Sequence, residues 1–155
     1  MQVRVQSVIA APPETVFAVA AEIGRWPDIF RAVEHIEILT HGPVAVGTRF
    51  RETRTMFGKS GTEEMTVAEL DAPRRLVLTA YNHGTAYRAE HLFAPQDAGT
   101  NLTLTFAGLP RSLPARLLAP LGYLMLGVVR RQLASDLADL AREAEHRHGQ
   151  ATAIR

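Results

Sequence analysis

At 155 residues, with 46% hydrophobic and 21% charged side chains, the chain has the size and apolar content of one core-forming domain, which excludes wholesale disorder. Its net charge of +1 supplies no long-range field of the kind that gathers nucleic acid. Cysteine is absent, which excludes disulfides, cysteine nucleophiles and cysteine-ligated zinc.

The opening residues set Val3, Val5, Ser7 and Ile9 against Arg4, Gln6 and Val8, the period of a strand. This start lacks the apolar run of a signal peptide, so a cytoplasmic setting is the expectation. Pro12, Pro13 and Glu14 then suit the first turn of a helix, where N–H groups lack partners and the dipole favours an acid. Val16, Phe17, Ala20 and Ile23 carry the helical spacing, and Gly24 stops it. A second short helix is expected from Pro27, bearing Ile29 and Phe30. Six strands follow at 33–39, 47–57, 62–70, 76–81, 87–93 and 101–107. Turn-rich stretches such as His41-Gly42-Pro43, Gly58-Lys59-Ser60-Gly61 and Asn82-His83-Gly84 separate them.

The period then changes. Leu117, Leu121, Leu124 and Val128, then Leu133, Leu137, Leu140 and Ala144, recur at three- and four-residue steps, which predicts one long helix over about 114–145. Pro120 either kinks that helix or marks its start. From His146 the chain is polar and expected to fray, giving a domain at 1–145 and a tail at 146–155. The apolar run at 113–129 is interrupted by Arg116, Pro114 and Pro120 and is too short to span a bilayer. Burial is therefore the expected fate of Leu118, Leu121, Tyr123, Met125 and Val128. Arg111, Arg116, Arg130 and Arg131 bracket the run, so association with a lipid surface stands as a second reading.

One strand, two short helices, a six-strand meander and a long helix make an α+β domain. A twisted antiparallel sheet of that length curls and must bury its apolar face on the final helix. A helix laid across a strongly curved sheet leaves part of the concavity unfilled, so a cavity is expected.

Specific segments carry a family resemblance. Val8-Ile9-Ala10-Ala11-Pro12-Pro13-Glu14-Thr15-Val16-Phe17 resembles the opening strand and helix of the polyketide cyclase/dehydrase and lipid-transport families, within the START-like (SRPBCC) superfamily. Ile23-Gly24-Arg25-Trp26-Pro27, Val46-Gly47-Thr48-Arg49-Phe50, Asp71-Ala72-Pro73-Arg74-Arg75-Leu76, Gly99-Thr100-Asn101-Leu102-Thr103 and Asp136-Leu137-Ala138-Asp139-Leu140 continue the match. The resemblance covers about residues 3–145. It implies a helix-grip fold of about seven antiparallel strands wrapped on the C-terminal helix. It does not select among lipid carriers, receptors and ring cyclases.

Strand alternation nominates the pocket residues. Phe50, Glu52, Arg54 and Met56 are expected inward, as are Glu63, Met65 and Val67, then Tyr87, Ala89, His91 and Phe93, and finally Leu102, Leu104 and Phe106. A β-bulge would reverse these assignments locally. The candidate ligand-binding set is Trp26, Phe50, Glu52, Arg54, Met65, Tyr87, His91, Phe106, Leu121 and Met125. An apolar majority with a few polar groups is the makeup of a small-molecule site. Arg54 is expected either to pair with Glu52 or Glu63 or to meet a ligand oxygen. Trp26 either anchors the junction of the short helices or gates the pocket. No metal site or cofactor is expected: Glu145, His146 and His148 fall in the tail, and no phosphate loop or nucleophile elbow is present.

Three functions fit. The first is a carrier or sensor of a small hydrophobic molecule such as a lipid, a quinone or a polyketide-like ring. The second is a cyclase, aromatase or dehydratase using Glu52, Arg54, Tyr87 and His91. The third is a protein-interaction module with little cavity.

Overall fold

The computed structural model describes residues 1–154. Strand β1 (Gln2–Ile9) leads through helix α1 (Pro13–Ala21) and a 3-10 turn (Ile23–Arg25) into α2 (Trp26–Ile29). A meander follows: β2 (Val33–Ile38), β3 (Arg49–Met56), β4 (Lys59–Asp71), β5 (Arg75–Asn82), β6 (Thr85–Gln96) and β7 (Gly99–Pro110). Helices α3 (Leu113–Leu124) and α4 (Leu126–Ala153) close the chain. The seven strands form one sheet in the order β1-β7-β6-β5-β4-β3-β2, antiparallel throughout. The α+β helix-grip architecture expected from the sequence is therefore the observed one.

The core lies between the inner face of the sheet and α1, α2 and α4. Val3, Ile9, Phe50, Val67, Leu76 and Leu102 supply the sheet side, Val16, Val19 and Ile23 the first helical segment, and Leu137, Leu140 and Ala144 the side of α4. Asp139, 1% exposed, ties α4 to the end of α2. Its carboxylate accepts from the Arg31 backbone N–H at 2.9 Å and from Arg31 Nε at 3.0 Å.

Strand parity follows the sequence pattern. A bulge between Val67 and Glu69 shifts the β4–β5 register, so that Leu70 packs against the core beyond it while Val67 is buried before it. The added residue reverses which positions face inward.

Two expectations for the C-terminal third are corrected. The predicted single helix is two, bent by 70°, and the break falls at Met125 rather than Pro120, which sits inside α3. Pro120 removes one helical hydrogen bond and Gly122 and Gly127 flank the break, so the backbone is weakest there. The second correction concerns the tail, where helical geometry continues through Ala153 instead of fraying at His146. Arg147 holds it down, donating to Glu22 at 3.0 and 2.7 Å and to Glu143 at 2.8 Å.

Candidate functional site

A cavity of about 200 Å³ lies between the inner faces of β3–β7 and helices α2 and α4. Trp26, Phe30, Met65, Leu78, Leu104, Phe106 and Leu133 form most of its wall. Glu52, Arg54, Glu63, His91, Gln132 and Asp136 supply its polar groups.

Each polar side chain is placed by strand or helix period. On β3, Phe50 and Glu52 are 0% and 6% exposed, and Arg54 follows on the same face. Glu63 of β4 stands directly opposite Glu52 in the register, as Met65 stands opposite Phe50. Two carboxylates side by side on adjacent strands repel one another. From the other side α4 brings Gln132 and Asp136, one turn apart, and Gln132 Nε2 donates to Asp136 Oδ1 at 3.3 Å.

Arg54 joins the two layers. Its Nε donates to Glu52 Oε1 at 2.7 Å and its Nη1 to Asp136 Oδ2 at 2.9 Å. Desolvation works against its charge, but attraction to Asp136 and Glu52 outweighs that and fixes it as a cation. The guanidinium is thus committed to protein carboxylates. Of the two fates open to it in the sequence, pairing is the observed one.

Three carboxyl groups share this single guanidinium. Burial pushes the pKa of Glu52 up, against the attraction of Arg54, and does the same for Asp136. Glu63 is raised by burial and next by repulsion from Glu52. It makes no side-chain hydrogen bond or ion pair among the described residues, which leaves both its oxygens available as acceptors.

His91 lines the same cavity and stacks on Phe93 with ring centroids 6.4 Å apart. Burial lowers its pKa to about 4, a hydrogen bond with the Leu76 backbone opposing the shift, so the ring is neutral at neutral pH. Its Nδ1 is shielded from solvent and has no partner among the described residues. A buried imidazole nitrogen without a partner is costly.

Trp26 both anchors and lines. Its Nε1 donates to the Ala20 carbonyl at 3.1 Å, and its ring meets Phe30 and Phe50 edge-on at 5.6 and 5.5 Å. Phe50 itself sits behind Trp26 rather than on the cavity wall. Tyr87 stacks on Phe106 at 5.7 Å but faces a second, open hollow of about 1080 Å³, which Tyr123 and Leu126 also line. The stacked pair forms the partition between hollow and cavity.

Leu121 and Met125 correct the sequence reading. Both are exposed, at 58% and 36%, and neither lines the cavity. The bend at Met125 carries α3 away from the sheet, so its leucines never reach the interior. Asp136 and Gln132 are the polar cavity residues that the sequence reading missed. The available signal was a carboxylate inside the apolar stripe of Leu133, Leu137 and Leu140, where a helix facing a core should carry none.

A family model described as polyketide cyclase / dehydrase and lipid transport matches residues 1–145. No curated protein matches the sequence. Among solved structures, a protein from Thermus thermophilus is 23% identical with a TM-score of 0.76, covering 93% of this chain and 97% of that one. The Zhui aromatase/cyclase from a Streptomyces species is 24% identical with a TM-score of 0.77, covering 95% and 94%. A START superfamily protein from Mycobacterium smegmatis is 17% identical with a TM-score of 0.66, covering 97% and 98%. At these identities the structures share the fold.

Proposed function

The chain belongs to the polyketide cyclase/dehydrase and lipid transport family, and we propose that within it the protein is a carrier or sensor enclosing a small hydrophobic molecule that bears a hydrogen-bond donor. The observation carrying this reading is the cavity of about 200 Å³ with an apolar wall and, on it, the carboxyl of Glu63, which has no side-chain partner among the described residues. That space is many times the roughly 10–15 Å³ that a single buried water needs. It suits a ring-sized ligand, or the end of a longer one that passes Tyr87 and Phe106 into the open hollow. With Arg54 bound to Glu52 and Asp136, the groups left to meet a ligand are the carboxyl of Glu63 and the imidazole of His91. The Glu63 side-chain carbonyl oxygen accepts whether or not the group is protonated, and a neutral imidazole keeps one acceptor nitrogen, so a hydroxyl matches them better than a carboxylate does.

Displacement of an apolar dye by small ring compounds tests the reading. Phenolic or alcoholic rings should displace it more tightly than their hydrocarbon counterparts, and Glu63→Leu or His91→Phe should shrink that preference. Failure of every apolar compound to bind, or equal affinities for both series in wild type, would overturn it.

A second reading is an enzyme of the cyclase, aromatase or dehydratase kind. The observation favouring it is a neutral buried imidazole and a carboxyl of raised pKa facing one cavity, a base and an acid in reach of one ligand. Conversion of a polyketide-like substrate, lost in His91→Phe while dye binding persists, would distinguish it from the carrier.

A further inference from the structure

Helix α3 is built inside out. No residue of it is buried, and its small residues, not its large ones, turn toward the protein. At about 100° per residue, Leu113, Leu117, Leu121 and Leu124 fall within about 80° of the circumference. They are 74%, 81%, 58% and 78% exposed. Ala115, Ala119 and Gly122 occupy the opposite side and are half-buried.

The helix is nonetheless fixed in place. The Ser112 side chain caps it by accepting from the Ala115 N–H at 3.2 Å, and the Arg111 and Ser112 N–H groups donate to the Gly84 carbonyl at 2.7 and 3.1 Å. Gly84 has φ +76°, and a Cβ there would lie 2.1 Å from Ser112 Oγ and 3.4 Å from Ala115 Cβ. Only glycine lets the β5–β6 turn meet the base of α3 this closely. A held helix presenting this leucine stripe outward, with Leu118 beside it also 63% exposed, is an exposed apolar surface of the sort that marks an interaction site.

Charge identifies the partner. Residues 98–135 contain Arg111, Arg116, Arg130 and Arg131 and no aspartate or glutamate. Arg116 flanks the leucine stripe by the same angular count. We propose that α3 docks on an anionic lipid surface, its leucines entering the acyl boundary while Arg116 and the preceding Arg111 meet the headgroups. Its twelve residues reach about 18 Å, and no single helix among the described residues is long and apolar enough to cross a membrane, so α3 lies on the bilayer. A second copy fits less well, because apposing two identical faces brings arginine against arginine. Tyr123 of α3 also lines the open hollow beside the Tyr87–Phe106 partition, which sets that hollow next to the docked surface.

The proposal goes beyond the cavity reading and does not need a cavity ligand. Co-sedimentation with vesicles of phosphatidylcholine, alone or mixed with a third phosphatidylglycerol, tests it on the full chain. The protein should sediment with the mixed vesicles and at least about tenfold less with neutral ones, and added salt should release it. A Leu117→Asp, Leu124→Asp double variant should lose binding by at least about tenfold, with its melting temperature unchanged because both sites are exposed. Arg111→Gln with Arg116→Gln should weaken binding to mixed vesicles several-fold while leaving any affinity for neutral ones as it was. Ala89→Phe, which fills the cavity, should bind vesicles like wild type. No sedimentation of wild type, or equal sedimentation of the aspartate variant, would overturn the proposal. A wild-type dimer that the aspartate variant converts to monomer would reassign the face to a second copy of the chain.

Discussion

Helices α3 and α4 carry the same leucine spacing and meet opposite fates. Leu137 and Leu140 of α4 are 3% and 2% exposed, while Leu117 and Leu124 of α3 are 81% and 78% exposed. What separates them is the company each stripe keeps. The stripe of α4 includes Asp136, which meets Arg54 of the sheet, and the neighbouring Asp139 holds Arg31. The stripe of α3 has no polar latch, and the 70° bend turns it outward. Leucine periodicity tells that a helix has an apolar face. Where that face goes depends on the polar groups beside it and on the backbone joining the two helices.

The comparison sets an order of mutational effects. Arg54→Met should be the most damaging, because it leaves Glu52, Asp136 and Glu63 facing one another without a cation. Breaking one side of a buried pair costs about 3–5 kcal/mol, readable by chemical denaturation. Leu137→Ala should follow at about 2–5 kcal/mol through lost burial and the space left behind. If Arg54→Met were neutral, the ionic latch would not be what seats α4.

His91 predicts a smaller, pH-dependent effect. Its folded pKa is about 4, against about 6.5 unfolded. Between those values the unfolded chain binds the extra proton, so stability from this residue is complete above about pH 6.5 and is lost as pH falls toward about 4. Glu52, Glu63 and Asp136 are shifted upward and act in the opposite sense, the native state holding their protons better as pH falls. Subtracting a His91→Phe variant isolates the histidine. The stability gap should move in favour of the variant as pH falls from 7 to 4, and a gap independent of pH would contradict the burial of the ring. The smallest effect belongs to α3: Leu117→Ala should change stability by less than about 0.5 kcal/mol, and a loss like that of Leu137→Ala would mean that α3 packs as α4 does.

Much of the architecture was legible in the sequence because strand parity and turn chemistry are local. The inward placing of Glu52, Arg54, Met65 and His91 came from alternation alone, and the structure agrees. Leu121 and Met125 misled because they lie on a periodic stripe whose direction is reset by the break at Met125. Asp136 escaped notice although it lies inside the apolar stripe of α4, because its role appears only when Arg54 comes across from the sheet. Tyr87 faces inward as expected, yet the Phe106 ring stands between it and the cavity. Such relations join residues far apart in the chain, and no local pattern encodes them.

Trp26 offers the most direct test of the central claim, that the cavity takes a small apolar ligand. It is the only tryptophan in the chain and lines the cavity wall, so its fluorescence reports on occupancy without a label. Titration with a naphthoquinone that carries a free hydroxyl should quench it saturably, and Ala89→Phe, which fills the same space, should abolish the saturable part. Quenching that rises linearly without saturation, equal in the wild-type and Ala89→Phe proteins, would contradict the account.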